Sequence, residues 1–134
     1  MVVLDSDILV DIMRNSPDAV KFFDKLENRG ERLNTTVINA FELFEGTLLF
    51  PNKEKINEST KKVEKLLQSL GSYHFTGPTS LKAAEISSEL KRKGTILDFQ
   101  DICIASISIV NNEKLITRNI KHFERIKGLV IEKW

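Results

Sequence analysis

The chain has 134 residues, 41% of them apolar and 29% charged, the composition of a single globular domain over residues 1–134. A net charge of +1 excludes the global basic field of many nucleic-acid binders, so any such contact must come from local patches. One cysteine, Cys103, excludes an intramolecular disulfide, and the start MVVLDSD lacks the basic residues of a signal peptide; with no apolar run long enough for a bilayer, a cytoplasmic protein is expected.

Val2 to Leu4 reads as a short, fully apolar strand, followed by a helix from Ser6 to about Arg14 with Ile8, Leu9, Ile12 and Met13 on one face. Ser16-Pro17-Asp18 starts a second helix, and Asn28-Arg29-Gly30 ends it. Arg32 to Thr36 is a second strand. Val37 to Phe50 has helical spacing, with the Phe41, Phe44 and Phe50 stripe expected mainly in the core. Lys53 to Leu70 is a long helix with Ile56, Val63, Leu66, Leu67 and Leu70 inward. Tyr73 to Phe75 is a small strand. Thr76-Gly77-Pro78-Thr79 caps a helix running to about Lys93. Ile102 to Val110 is a nearly all-apolar, buried helix. Leu115 to Thr117, a turn at Ile120 to Phe123, and Leu129 to Ile131 close the chain. Short strands alternating with helices imply a three-layer α/β/α domain around a central parallel sheet.

Four segments carry acids or amides at element boundaries: VVLDSD, NAFELFEG, ILDFQDICIAS and LITRN. The first and last are apolar runs that end abruptly in polar residues, as buried parallel strands do where they deliver side chains to their carboxyl ends. Ligands of open parallel sheets bind beyond those ends. Carboxylates gathered there repel one another and need a cation, and hard divalent ions take oxygen ligands.

Together these segments resemble a PIN domain, and most closely the VapC-type toxins of prokaryotic toxin–antitoxin pairs. The residues that carry the resemblance are VVLDSDILVD, the Glu-Leu-x-x-Gly of ELFEG, the Asp-x-x-Ile-Ala of DICIA, and LITRNIKHFERI. The resemblance implies a Rossmann-like fold and a metal-dependent endoribonuclease. It also implies a homodimer and inhibition by a small cognate antitoxin in the active-site groove. It places Asp5, Glu42 and Asp101 as catalytic acids holding one or two Mg²⁺ or Mn²⁺ ions, with Asn119 at the fourth position, where many members have aspartate. Ser6-Asp7 stands where the family often has Thr-Asn.

Each residue also has a plainer reading. Asp5 caps the following helix, Asp7 and Asp101 are first-turn acids favoured by the helix dipole, Glu42 is a surface glutamate, and Asn119 caps the Ile120 turn. Asp98 and Asp101 share one side of a helix start; Asp98 is expected as its N-cap and, with Asp7, as an outer support of the metal field. Thr117 and Arg118 could meet RNA phosphate, and Lys91, Arg92 and Lys93 form the best phosphate rail in the sequence. No catalytic role is expected for His122, and His74 and Cys103 read as structural. The rival readings are a HAD-type phosphatase using Asp5-x-Asp7, and a PIN-like binding module of weak or no activity.

Overall fold

The computed structural model describes residues 1–134. Five strands, β1 (Val2–Leu4), β2 (Leu33–Thr36), β3 (Gly71–Tyr73), β4 (Lys114–Ile116) and β5 (Ile131–Glu132), form one sheet in the order β3-β2-β1-β4-β5. Every pairing is parallel. The chain winds outward from β1 through β2 to β3, then returns to place β4 on the other side of β1. Between the carboxyl ends of β1 and β4 lies the switch point where such sheets bind ligands.

Helices cover both faces. One side chain layer joins Val2, Leu4 and Ile116 of the sheet to α1 (Ser6–Met13), α2 (Pro17–Asn28), α3 (Val37–Leu48) and α4 (Lys53–Gln68), through Ile8, Leu26, Leu43 and Val63. The other joins Val3 and Leu115 to α5 (Gly77–Arg92), α6 (Phe99–Val110) and α7 (Ile120–Phe123), through Ile86, Ile104 and Phe123. Successive strand residues point to opposite faces, so apolar residues at every position of β1 are what a sheet covered on both sides requires. The three-layer α/β/α architecture is the expected one.

Several boundaries differ from expectation for local reasons. The third strand is Gly71–Tyr73, not Tyr73–Phe75, because its register on β2 pairs Asn34 with Gly71 and Thr36 with Tyr73. Asn34 is buried and donates to the Val2 and Arg32 carbonyls. A Cβ at Gly71 would come within 2.0 Å of its Oδ1, so the glycine admits this amide. Helix α6 starts at Phe99 rather than Ile102, since the Asp98 carbonyl already accepts from Ile102 N–H. The last strand is shifted to Ile131–Glu132. Phe41, expected in the core, is 53% exposed. No helix is long and apolar enough to cross a membrane.

Candidate active site

Asp5 follows β1 directly and is the N-cap of α1, where its Oδ1 accepts from Ser6 N–H at 2.8 Å. It is 7% exposed. Asn39 Nδ2 also donates to Oδ1 at 3.0 Å, and the Thr117 hydroxyl, just past β4, donates to Oδ2 at 2.7 Å. These donors fix the carboxylate but do not offset its burial. Burial first, then the Asp7 charge, and less strongly that of Glu42, push Asp5 up to about 7.

Glu42 projects from α3, half-buried, and its Oε2 accepts the Ser6 hydroxyl. Glu45, three residues on, is exposed. Burial raises Glu42 above the ordinary carboxylate range, as do the charges of Asp101 and Glu45, and the Ser6 bond opposes them. Asp101, in the first turn of α6, meets His122 Nδ1 at 3.1 Å. It too is raised, by burial and then by Asp98, against the lowering effect of His122. Asn119 Nδ2 lies 2.8 Å from the same His122 nitrogen. Glu42 thus acts on Asp5 and is acted on by Asp101, and all three acids are pushed toward their neutral forms.

The donor set is one of hard oxygens with too little positive charge nearby, which fits a divalent cation. No three of the carboxylate, imidazole and thiol groups, however, lie close enough to ligate a single ion directly. Glu42 links the two sides, to Asp5 through Ser6 and to Asp101 through charge, while Asn119 reaches Asp101 only by way of His122.

Asp7 is half-buried and fully occupied elsewhere. Its Oδ1 accepts from Ile8 N–H at 2.6 Å and from Trp134 Nε1–H at 2.9 Å. Its Oδ2 accepts from Arg118 N–H at 2.7 Å and lies 3.2 Å from the Thr117 hydroxyl. Asp7 is thus a clamp between α1, the end of β4 and the last residue of the chain, touching the site only through Thr117.

One assignment to RNA is corrected by this arrangement. Thr117 is fully buried with its hydroxyl turned to Asp5, which removes it from any substrate contact. Arg118 is exposed; it stacks on Trp134, 3.4 Å from the ring centroid, pairs with Asp11 at 3.1 Å, and so also takes part in the clamp. Lys91, Arg92 and Lys93 are exposed at the end of α5, with Lys93 paired to Glu89 at 3.2 Å. Asp98 is the exposed N-cap of α6, but its side chain makes no capping bond.

Sequence reasoning missed Asn39, which is fully buried. Its Oδ1 accepts the Thr36 hydroxyl at 2.7 Å, while its Nδ2 donates to Asp5 and to the Ser6 oxygen, each at 3.0 Å. The signal was available: an amide one helical turn before Glu42, in an otherwise apolar pattern. Trp134 carried no such signal.

Comparison with known proteins decides the family, because the sequence pattern of the PIN domain matches residues 2–129. The chain belongs to the PIN-domain family. It is 31% identical over 132 residues to ribonuclease VapC2 of Rickettsia felis, covering 98% of this chain and 96% of that one. It is 25% identical over 132 residues to the tRNA(fMet)-specific endonuclease VapC of Salmonella typhimurium, with the same coverage. Among solved structures, it superposes on VapBC2 of Rickettsia felis bound to a promoter DNA fragment with a TM-score of 0.87 and 30% identity, covering 100% of this chain and 99% of that one. The phosphatase reading falls on this PIN domain. Both oxygens of Asp7 are spent in the clamp, and β4 is followed by Thr117, Arg118 and Asn119, which supply no acidic pair.

Proposed function

We propose that this PIN domain is a VapC-type endoribonuclease that depends on Mg²⁺ or Mn²⁺ and is held in check by a cognate antitoxin. The observation that carries the reading is the group of three carboxylates, Asp5, Glu42 and Asp101, all driven upward in pKa at the carboxyl edge of a parallel sheet. Asp5 and Asp101 would hold the principal ion, with Glu42 and Asn119 reaching it through water. When bound, the ion supplies charge against the phosphate oxygens and makes a neighbouring water more acidic.

The chain's own residues prepare the site. Ser6, Asn39 and Thr117 hold the Asp5 carboxylate from three directions, so it does not reorganise when substrate arrives. Ser6 also fixes Glu42 through Oε2, leaving Oε1 to accept a proton from an attacking water. His122 orients Asp101. Single-stranded or looped RNA is the substrate class of this reading, because unpaired strands present phosphates and bases that a duplex keeps stacked. A cationic side chain of the antitoxin fits the same acids as an ion mimic, and the relative from Rickettsia felis is a VapBC complex. A homodimer completes the reading.

The deciding experiment measures cleavage of a mixed single-stranded RNA in Mg²⁺, in Mn²⁺ and in EDTA, beside hydrolysis of an aryl phosphate. Cleavage is expected with either ion and none in EDTA, with the aryl phosphate untouched. Undiminished cleavage in EDTA would remove the metal from the reading. Aryl phosphate turnover without RNA cleavage would remove the nuclease.

A further inference from the structure

Beside Glu42 the surface opens into a recess of about 220 Å³ between α1, α3 and α4. Val10 and Met13 of α1, Leu43 of α3 and Phe50 form its apolar walls. Gly46 forms part of its lining in the last turns of α3, where a Cβ would meet nothing within 4 Å. Glycine inside a helix costs about 1 kcal/mol relative to alanine. No close approach, turn or positive φ calls for it here, so what its missing side chain provides is the open space of the recess.

The rim is basic. Arg14 has no acidic partner anywhere in the structure, and Lys62 has only an exposed partner, Glu58, at 3.4 Å. Lys55 lies 4.4 Å from the Phe50 ring centroid, adding a cation at the same wall. A second recess shares Met13 and Lys62 with the first and adds Lys65, so the basic track continues along α1 and α4 away from Glu42. Acids at one end, an apolar slot next to them and cations beyond it form a graded path.

We infer that this recess is a base-binding subsite for the nucleotide next to the scissile phosphate of single-stranded RNA. The inference rests on the nuclease reading for the place of that phosphate. The cavity is smaller than the roughly 300 Å³ at which pockets for drug-sized ligands begin, which suits one flat heterocycle between aliphatic and aromatic walls. Arg14, Lys62 and Lys65 complement phosphates along the same strand.

The test uses the full chain and 5′-labelled hexamers of A, C, G and U, with binding followed by fluorescence anisotropy in EDTA so that no cleavage is needed. Wild type should bind one homopolymer on the order of tenfold more tightly than the weakest. Gly46→Leu, which fills the slot and improves helix propensity, should hold its melting temperature and bring all four within about twofold of one another. Arg14→Gln and Lys62→Gln should weaken all four alike, each lowering the slope of log affinity on log salt by about 0.7. Equal binding of the four by wild type, or an unchanged preference in Gly46→Leu, would overturn the subsite. Loss of a co-purifying antitoxin by Gly46→Leu with its RNA preference intact would assign the recess to protein and overturn it too. Discriminating binding with no cleavage in Mg²⁺ would refute the nuclease while leaving the base subsite standing.

Discussion

Asp5→Asn is expected to make the metal-free protein more stable, and increasingly so as pH rises. Asp5 is 7% exposed, and burial together with the Asp7 and Glu42 charges moves it from 3.8 to about 7. The folded state therefore holds this proton more tightly than the unfolded chain does. Its favourable contribution is complete below pH 3.8 and is lost as pH rises through about 7, above which the buried charge is borne in full. At about 1.36 kcal/mol per pH unit, that interval is a ceiling of about 4 kcal/mol at pH 8, of which about 3 kcal/mol develops above pH 5. The substitution leaves no buried group stranded. The new amide oxygen can accept from Ser6 N–H and Asn39, and its NH₂ can donate to Thr117 Oγ1, whose hydrogen then turns to Asp7 Oδ2 at 3.2 Å. Urea unfolding in EDTA at pH 5 and pH 8 reads the difference directly. Mg²⁺ should restore stability to wild type and do little for the variant, because an ion that binds only the folded state stabilises by mass action. A variant no more stable than wild type at pH 8, or an advantage that does not grow with pH, would show that the Asp5 charge is already compensated and that the site does not call for a cation.

Asp101→Asn should lower RNA cleavage by at least about a hundredfold with the fold intact, measured by gel assay beside a circular dichroism melt, since it removes a principal acid while keeping its shape. Asn119→Asp should lower the half-saturating Mg²⁺ for cleavage several-fold, because a carboxylate is the better ligand for a hard cation; an unchanged Mg²⁺ titration would leave Asn119 only its contact with His122. Trp134→Phe keeps a ring for Arg118 to stack on but deletes the N–H donated to Asp7, so urea unfolding followed by circular dichroism should show a loss of about 1.5–3 kcal/mol.

The sheet was legible because burial on both faces leaves a plain mark. Val2 to Leu4 and Leu115 to Ile116 are apolar at consecutive positions, which an antiparallel sheet with one wet face would not tolerate. The acids were legible for the matching reason: Asp5 ends such a run, and Glu42 and Asp101 are flanked by the apolar residues of α3 and α6. What the sequence withheld were pairings set by distant register. Gly71 rather than the aromatic Tyr73-His74-Phe75 run begins β3, because Asn34 of β2 needs space there. Thr117 looked free for phosphate because nothing local reveals that its hydroxyl turns to an aspartate 112 positions earlier.

Asp5 and Asp7 show the same limit within three residues. Both are aspartates at the start of α1, and helix dipole and spacing treat them alike. Their roles separate only when the chain returns. β4 brings Thr117 against both, and the Arg118 N–H and the Trp134 indole then close on Asp7 alone. Its charge is the second-largest influence raising Asp5. The clamp that holds the carboxyl ends of β1 and β4 together thereby also supplies part of the negative field around Asp5. A chain in which that position were neutral would keep the same acids with a weaker upward push on Asp5. The acid at position 7 thus acts on the site through its charge while its oxygens serve the fold.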